Sequence, residues 1–381
     1  MDLSGVYKLP INLSDGGLGT TLEDIFHVDL KNTPLWSGRA IADEPETLVK
    51  VHLAFLQAGA RTLLTSTYQS AYTTFERAGY SREDAAQLMR NSVKVAKEAR
   101  KRFCSECKDV QPEDIHIALS LGTFGATLSP MQDFGGIYPP PYGPKAYSPT
   151  EENTNSFGDN EEGRERSIEA LAQFHAERLL VFASDQETWD SIDCIAFETI
   201  PLLREVKAIR EAMNVVARST VGGTMIELKP WWITMVFPNG QCPEKRCLGG
   251  ASFGVPELMQ AALQEDENEA AEFLPVPSGI GINCTGLKFL PHLLSDFEEA
   301  LSKIPAGESA EPWLILHPNG GDGYDPVSET WREPRADVAW AESVAQVING
   351  TRKEKWGGII VGGCCKSGPE EIRALQLAIG V

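Results

Sequence analysis

Eight short apolar runs recur along the chain, each followed by a stretch of helical periodicity. They are Pro10–Asp15, Ala60–Thr67, Ile115–Gly122, Asp193–Ile200, Trp231–Phe237, Gly279–Cys284, Pro312–Asn319 and Trp356–Cys365. Most are apolar at successive positions, the pattern of strands buried on both faces of a parallel sheet. Of the helical stretches, "EPETLVKVHLAFLQAG" has acids and a proline near its first turn and stops at Gly59. "SREDAAQLMRNSVKVAKEARKRF" opens on Ser81, a capping residue, and closes on basic residues that suit the helix dipole. Six more helices are predicted near Gly163–Ser184, Leu202–Ala217, Val255–Gln264, Leu287–Ile304, Arg335–Ile348 and Gly368–Ile379. Strict alternation predicts an α/β fold, a (β/α)₈ TIM barrel with long insertions at its βα loops, in a single domain over 1–381. An open doubly wound sheet is the alternative, because counting strands does not establish closure.

Two stretches break the pattern. Residues 124–163 follow the third run and are rich in Pro, Gly and Tyr. A loop of that length leaving the C-terminal end of a barrel strand reads as a lid or substrate wall. Its acidic second half also reads as a plain surface insertion. The second irregular stretch, around 219–250, includes Cys242 and Cys247.

Composition narrows the classes of function. Apolar residues make up 42% and charged residues 23%, as in a globular protein with a sizeable core. A net charge of −20 repels nucleic acid and anionic membranes, and no run is apolar enough to span a bilayer. The start of the chain lacks the basic and apolar segments of a signal peptide. Eight cysteines are too few for a disulfide scaffold, so they read as reduced thiols in a cytoplasmic protein.

The cysteines nonetheless carry a pattern. Cys364 and Cys365 end the eighth run and Cys284 ends the sixth. Alternate strands of a barrel share layers, so these two ends reach one level. Adjacent side chains on a regular strand diverge, but Gly362 and Gly363 are expected to loosen the backbone and let both thiols converge with Cys284. Three thiolates with one open position describe a reactive zinc site. A disulfide between Cys364 and Cys365 is the strained alternative. Cys104 and Cys107 form C-x₂-C but lack a second pair, so they read as idle thiols. Cys242 and Cys247 suggest no role, and Cys194 reads as core packing.

With these motifs assembled, the chain resembles the homocysteine S-methyltransferases. The resemblance rests on "DGGLGTTLE" (Asp15–Glu23), "TSTYQSAY" (Thr65–Tyr72), "FETIP" (Phe197–Pro201), "GINCTG" (Gly281–Gly286), "HPNGGDGYD" (His317–Asp325) and "GGCCKSGP" (Gly362–Pro369). Relatives include betaine–homocysteine methyltransferase and the homocysteine domain of cobalamin-dependent methionine synthase. The motifs cover nearly the whole chain in order and look most similar to the stand-alone enzymes that use S-methylmethionine or S-adenosylmethionine. The resemblance implies a barrel holding Zn²⁺ through Cys284, Cys364 and Cys365. It implies that Asp15 and Glu198 hold the amino group of homocysteine, with Gly16, Gly17, Tyr68, Thr199 and Asn283 beside the substrate. The implied partners are small molecules, homocysteine and a sulfonium methyl donor, in a monomer or small homo-oligomer. Where the family often has "GSxGPYGA", this chain has "LSLGTFGA", with Leu119 for glycine, Thr123 for proline and Phe124 for tyrosine. These departures bear on the donor pocket rather than on the thiol chemistry.

The chemistry suits those residues. A free thiol, with pKa about 8.5, is mostly protonated at neutral pH, and zinc ligation displaces the proton. Three cysteine thiolates over-neutralise the metal, which leaves a bound sulfur nucleophilic but suits water activation poorly. A sulfonium donor leaves as a neutral thioether, so no general acid is required. Tyr68, Phe124 and Tyr138 are aromatic candidates for holding the sulfonium, with ordinary packing as the alternative for each. "DGG" also reads as a turn, Glu198 also as the partner of a nearby Arg or Lys, and His317 and Asn319 as turn residues or pocket walls. A betaine- or carrier-dependent methyltransferase, a metal-assisted hydrolase and a barrel that only binds homocysteine are the other readings.

Overall fold

The computed structural model describes residues 2–30, 33–264, 274–305, 311–321, 324–325, 330–331 and 337–381. Eight parallel strands form one sheet: β1 (Ile11–Leu13), β2 (Thr62–Leu64), β3 (His116–Gly122), β4 (Cys194–Ile200), β5 (Trp231–Met235), β6 (Gly279–Asn283), β7 (Trp313–His317) and β8 (Ile359–Val361). From β2 to β8 each strand pairs with the next in sequence, and β8 returns to β1. The remaining seam lies between β1 and β2. There the Arg61 amide donates to Leu13 O at 2.8 Å and the Asp15 amide to Thr62 O at 3.0 Å. Ser14 and Thr62 form a parallel bridge between them. The sheet is thus a nearly closed (β/α)₈ barrel and not the open alternative.

The principal helices are α1 (Pro45–Gln57), α2 (Arg82–Glu106), α3 (Glu161–Ala183), α4 (Leu203–Ala217), α5 (Val255–Leu263), α6 (Leu290–Leu301), α7 (Asp337–Gly350) and α8 (Pro369–Ile379). Their ends follow local chemistry. Ser81 caps α2, its Oγ accepting the Asp84 amide at 3.1 Å. Glu371 reaches back to the Gly368 amide at 2.8 Å, Pro369 enters the first turn of α8, and Gly380 closes that helix at φ +72°. Helix α6 buries Leu290, Leu293, Leu294 and Phe297, the spacing of one helical face. Helix α2 runs past its expected basic end to Glu106, so its last turn carries no basic residue. No described helix is long and apolar enough to cross a membrane.

The pleat sends alternate side chains into the barrel. Ala118 of β3 and Cys194 and Ala196 of β4 join Trp232, Trp313 and Ile360 in an inner cluster. The N-terminal segment fills the barrel from below: Leu3 and Tyr7 are buried in that cluster. Tyr7 packs on Trp313 with ring centroids 5.4 Å apart and accepts from the Thr62 hydroxyl at 3.1 Å. Cys194 lies against the Tyr7 hydroxyl at 3.7 Å, so its expected packing role holds.

Strands β1 and β2 are shorter than the apolar runs that predict them, because the chain leaves the ladder to form the rim. The irregular stretch at 219–250 divides around β5. Before β5 stands a hairpin, Thr220–Val221 against Thr224–Met225, turned by Gly222 at φ +59° and Gly223 at φ +85°. After β5 comes a loop through residue 250. Part of the His317–Asp325 motif, Asp322 and Gly323, and the expected start of the seventh helix at Arg335 lie outside the described residues.

Candidate active site

The cysteines meet at the C-terminal rim of the barrel. Cys284 follows β6 and turns the chain at φ +47°, its amide donating to His317 O at 3.0 Å. Three residues after β8, at Cys364, the amide donates to Pro318 O at 2.8 Å, and Cys365 O accepts the Gly320 amide at 2.8 Å. The turn after β7 therefore clips both cysteine loops together through its main chain. That is the role of "HPNG" visible here. Beside it, His317 Nε2 and Asn319 Oδ1 are buried without a hydrogen-bond partner among the described residues.

The three Sγ atoms lie within 4.8 Å of one another. Cys284 and Cys364 are joined as a disulfide, with Cα atoms 5.5 Å apart, and Cys365 is free. Two strand ends deliver both side chains to one point within bridging distance. The strained Cys364–Cys365 pairing does not occur. Gly362 and Gly363 act differently from expectation. Neither has positive φ; instead, a Cβ on Gly362 would strike Asp15 O and one on Gly363 the Ser367 hydroxyl. Their role is close approach.

The β1 rim packs onto the same loop. A Cβ on Gly16 would collide with Ser367 O and one on Gly17 with Cys364 O, while the Gly17 amide donates to Ser367 O at 2.9 Å. Asp15 is buried, accepting from the Leu64 amide at 2.8 Å and the Ser14 hydroxyl at 3.2 Å. Burial raises its carboxyl well above the usual range, against the lowering effect of the Leu64 amide.

Glu198 continues the inward series of Cys194 and Ala196 on β4. It is buried, takes a hydrogen bond from the Ser120 hydroxyl of β3, and has no Lys or Arg partner among the described residues. The structural reading of Glu198 as half of an internal ion pair is therefore not met. Burial pushes its carboxyl up to about 7. Thr199 beside it sits at φ +62°, a costly conformation for a β-branched residue. Asn283 holds it there, accepting the Thr199 amide at 2.9 Å and donating to its Oγ1 at 2.8 Å. The Thr199 hydroxyl and the Asn283 amide lie 3.8 and 3.7 Å from Cys284 Sγ. Thr199 and Asn283 thus couple the acid on β4 to the sulfur after β6.

Tyr68 reaches the site from the loop after β2. Its main chain is fixed by the buried guanidinium of Arg178 on α3, which donates to Tyr68 O at 2.9 Å, Ser70 O at 2.8 Å and Gly122 O at 2.6 Å. Its hydroxyl donates to Asp133 at 3.2 Å. Burial pushes the Asp133 carboxyl up to about 6. It pushes the Cys365 thiol up to about 12, with the carboxylates of Asp133 and Glu198 adding in the same direction. Asp133 and Ser120 are members of this site that sequence reasoning missed. The only signal for Asp133 was an acid within a loop that leaves a strand's C-terminal end.

Two aromatic candidates are not at the site. Phe124 stacks on Tyr142 at 3.9 Å and packs with Tyr138 and Phe174 in a separate apolar cluster. Tyr138 is fully buried, its hydroxyl donating to Glu205 at 2.8 Å. Leu119 packs in the main core, and the Thr123 hydroxyl donates to Glu205 at 2.6 Å, a bond that the proline usual there lacks. Cys104 and Cys107 lie half-buried at the end of α2, Cys242 packs in the core and Cys247 is exposed. None of them joins a metal-binding group among the described residues.

The rim residues fit a zinc ion. Zinc–sulfur bonds of about 2.3 Å in a tetrahedron separate the sulfurs by about 3.8 Å. A group spanning 4.8 Å is compact enough to hold the ion once Cys284 and Cys364 are reduced.

The chain is similar over nearly its whole length to known proteins. Selenocysteine Se-methyltransferase of Brassica oleracea var. italica is 30% identical over 95% of this chain and 87% of its own length. Homocysteine S-methyltransferase 2 of Arabidopsis thaliana is 29% identical over 95% and 91% of the two chains. Homocysteine S-methyltransferase YbgG of Bacillus subtilis is 29% identical over 96% and 93%. The metallated crystal structure of the homocysteine methyltransferase MmuM from Escherichia coli shares the fold, with TM-score 0.63 and 22% identity over 97% and 96% of the chains. The model of the homocysteine S-methyltransferase family matches residues 12–379, from β1 through α8 and so across every strand end that builds the rim, and this chain belongs to that family of methyltransferases.

Proposed function

We propose that this protein transfers a methyl group from S-methylmethionine or S-adenosylmethionine to the sulfur of L-homocysteine, giving methionine, at a zinc site of Cys284, Cys364 and Cys365. The observation that carries the reading is the meeting, on one rim, of a compact three-sulfur group with buried acids that lack a cationic partner. Zinc, when bound, lowers the proton affinity of the substrate thiol and leaves its sulfur nucleophilic. The chain's own residues do the rest. Glu198 and Asp15 supply the negative charge for the homocysteine ammonium, with Ser120 and the Leu64 amide orienting them. Thr199 and Asn283 fix the distance between that ammonium site and Cys284. As the new S–CH₃ bond forms, the donor's C–S bond breaks and its electron pair stays on a neutral thioether. No residue has to protonate the leaving group. The buried rim excludes water and holds the reactants in line.

The test is turnover of homocysteine with each donor in turn, alongside zinc analysis of the reduced protein. Methionine formation with a sulfonium donor and one zinc per chain is the expected result. Activity with betaine alone, or homocysteine binding without turnover, would overturn it.

A further inference from the structure

The rim holds one more acid than the homocysteine ammonium needs. Asp15 and Glu198 stand on barrel strand ends, whereas Asp133 arrives from the loop between β3 and α3. Asp133 is 8% exposed, and its described partners are the Tyr68 hydroxyl and the amides of Asp133 and Phe134. No Lys or Arg among the described residues pairs with it. A buried carboxylate in that setting is costly until a cation arrives. The Tyr68 hydroxyl that holds it also meets Thr199, whose own hydroxyl lies 3.8 Å from Cys284 Sγ, which places Asp133 near the sulfur group.

The two substrates bring different charges. Homocysteine brings an ammonium, already matched by two acids. A sulfonium amino acid brings a sulfonium, whose charge disappears during transfer, and an α-ammonium, whose charge persists. A carboxylate against the sulfonium would favour the bound donor over the transition state and slow the step. One against the α-ammonium strengthens binding without that penalty. Resting on the sulfonium-donor reading above, we infer that Asp133 binds the α-ammonium of the methyl donor, held in place by Tyr68, and so selects amino-acid donors over sulfonium compounds that lack an amino group. Tyr68 is in turn set by Arg178, so the donor subsite is fixed to the barrel although its acid comes from a loop.

Steady-state kinetics of the zinc-loaded Asp133→Asn protein test this. We expect the KM for S-methylmethionine to rise at least tenfold, with the KM for homocysteine within twofold of wild type and zinc content unchanged. Tyr68→Phe should raise the donor KM about threefold, because it leaves the carboxylate present but unheld. With dimethylsulfoniopropionate, which has no amino group, the Asp133→Asn protein should match wild type. An unchanged donor KM in Asp133→Asn, or an equal rise for both substrates, overturns the inference while leaving the reaction intact. A wild-type protein that makes no methionine from either sulfonium amino acid overturns the reaction itself and the inference with it.

Discussion

On the proposed reaction, Glu198 is the residue on which recognition of homocysteine turns. Glu198→Gln keeps shape but turns a charge-assisted hydrogen bond into a neutral one, a loss of roughly 1–3 kcal/mol. We expect the KM for homocysteine to rise about tenfold or more, zinc to stay bound, and 3-mercaptopropionate, which has no amino group, to be little affected. Because the ionised form binds the ammonium and the carboxyl sits at about 7, kcat/KM for homocysteine should fall as pH drops below that value. That limb should vanish in Glu198→Gln. The same shift bears on stability. A carboxyl raised from 4.5 to about 7 binds its proton more tightly in the native state than in the unfolded chain. Its contribution is whole below the unfolded value and is lost as pH rises to the folded one. Ligand-free Glu198→Gln should therefore melt above wild type at pH near 8 and level with it only at pH near 4 or below, as calorimetry can check. Glu198 was legible in the sequence because an acid after "CIAF" on a buried strand has no ordinary reason to be there. Ser120 and Asp133 were not, since polar residues in a strand and a loop do not declare what they face.

At the scale of elements, helices and strands were readable because period and capping are local properties. The loop from 124 to 160 was not, because partners far along the chain hold it. Glu205 on α4 accepts from Thr123, the Phe124 amide, Tyr138 and His175, at 2.6, 2.8, 2.8 and 3.0 Å. Arg204 beside it donates to Asn155 O at 2.9 Å. The loop is thus bolted to one helix at both its start and its end. Arg178 performs the same service for the rim after β2 and β3. Arg178→Met would strand four carbonyls, those of Thr67, Tyr68, Ser70 and Gly122, and we expect a loss of roughly 3–5 kcal/mol in denaturant unfolding, with the donor KM rising as Tyr68 loses its place. The cysteine loops behave differently, since they lie above the barrel core rather than in it. Cys284→Ala should abolish zinc binding and turnover together while the circular dichroism spectrum persists, and full metal content in that variant would sink the assignment of its ligand. The cysteine pattern was legible because three thiols at the ends of strands six and eight can meet only in a barrel. The approach of Gly16, Gly17, Gly362 and Gly363 was not, because only space shows what a missing Cβ permits.

For the molecule as a whole, a net charge of −20 and a rim of buried acids match cationic small substrates. The segment carrying Leu3 and Tyr7 packs into the barrel from below, which leaves the rim at the strands' C-terminal ends as the side from which substrates reach the sulfur group. Two substrates and two products must share that side. On the proposed reaction, homocysteine lies deeper, against acids on barrel strands, and the donor lies nearer the loop. The inner reactant then has to enter before the outer one and leave after it. The rate law follows: with S-adenosylmethionine as donor, methionine should inhibit competitively against homocysteine, whereas the demethylated donor should inhibit noncompetitively. A plugged floor therefore sets a compulsory order of traffic, and product-inhibition patterns at the bench would reveal a feature of the segment that carries Leu3 and Tyr7.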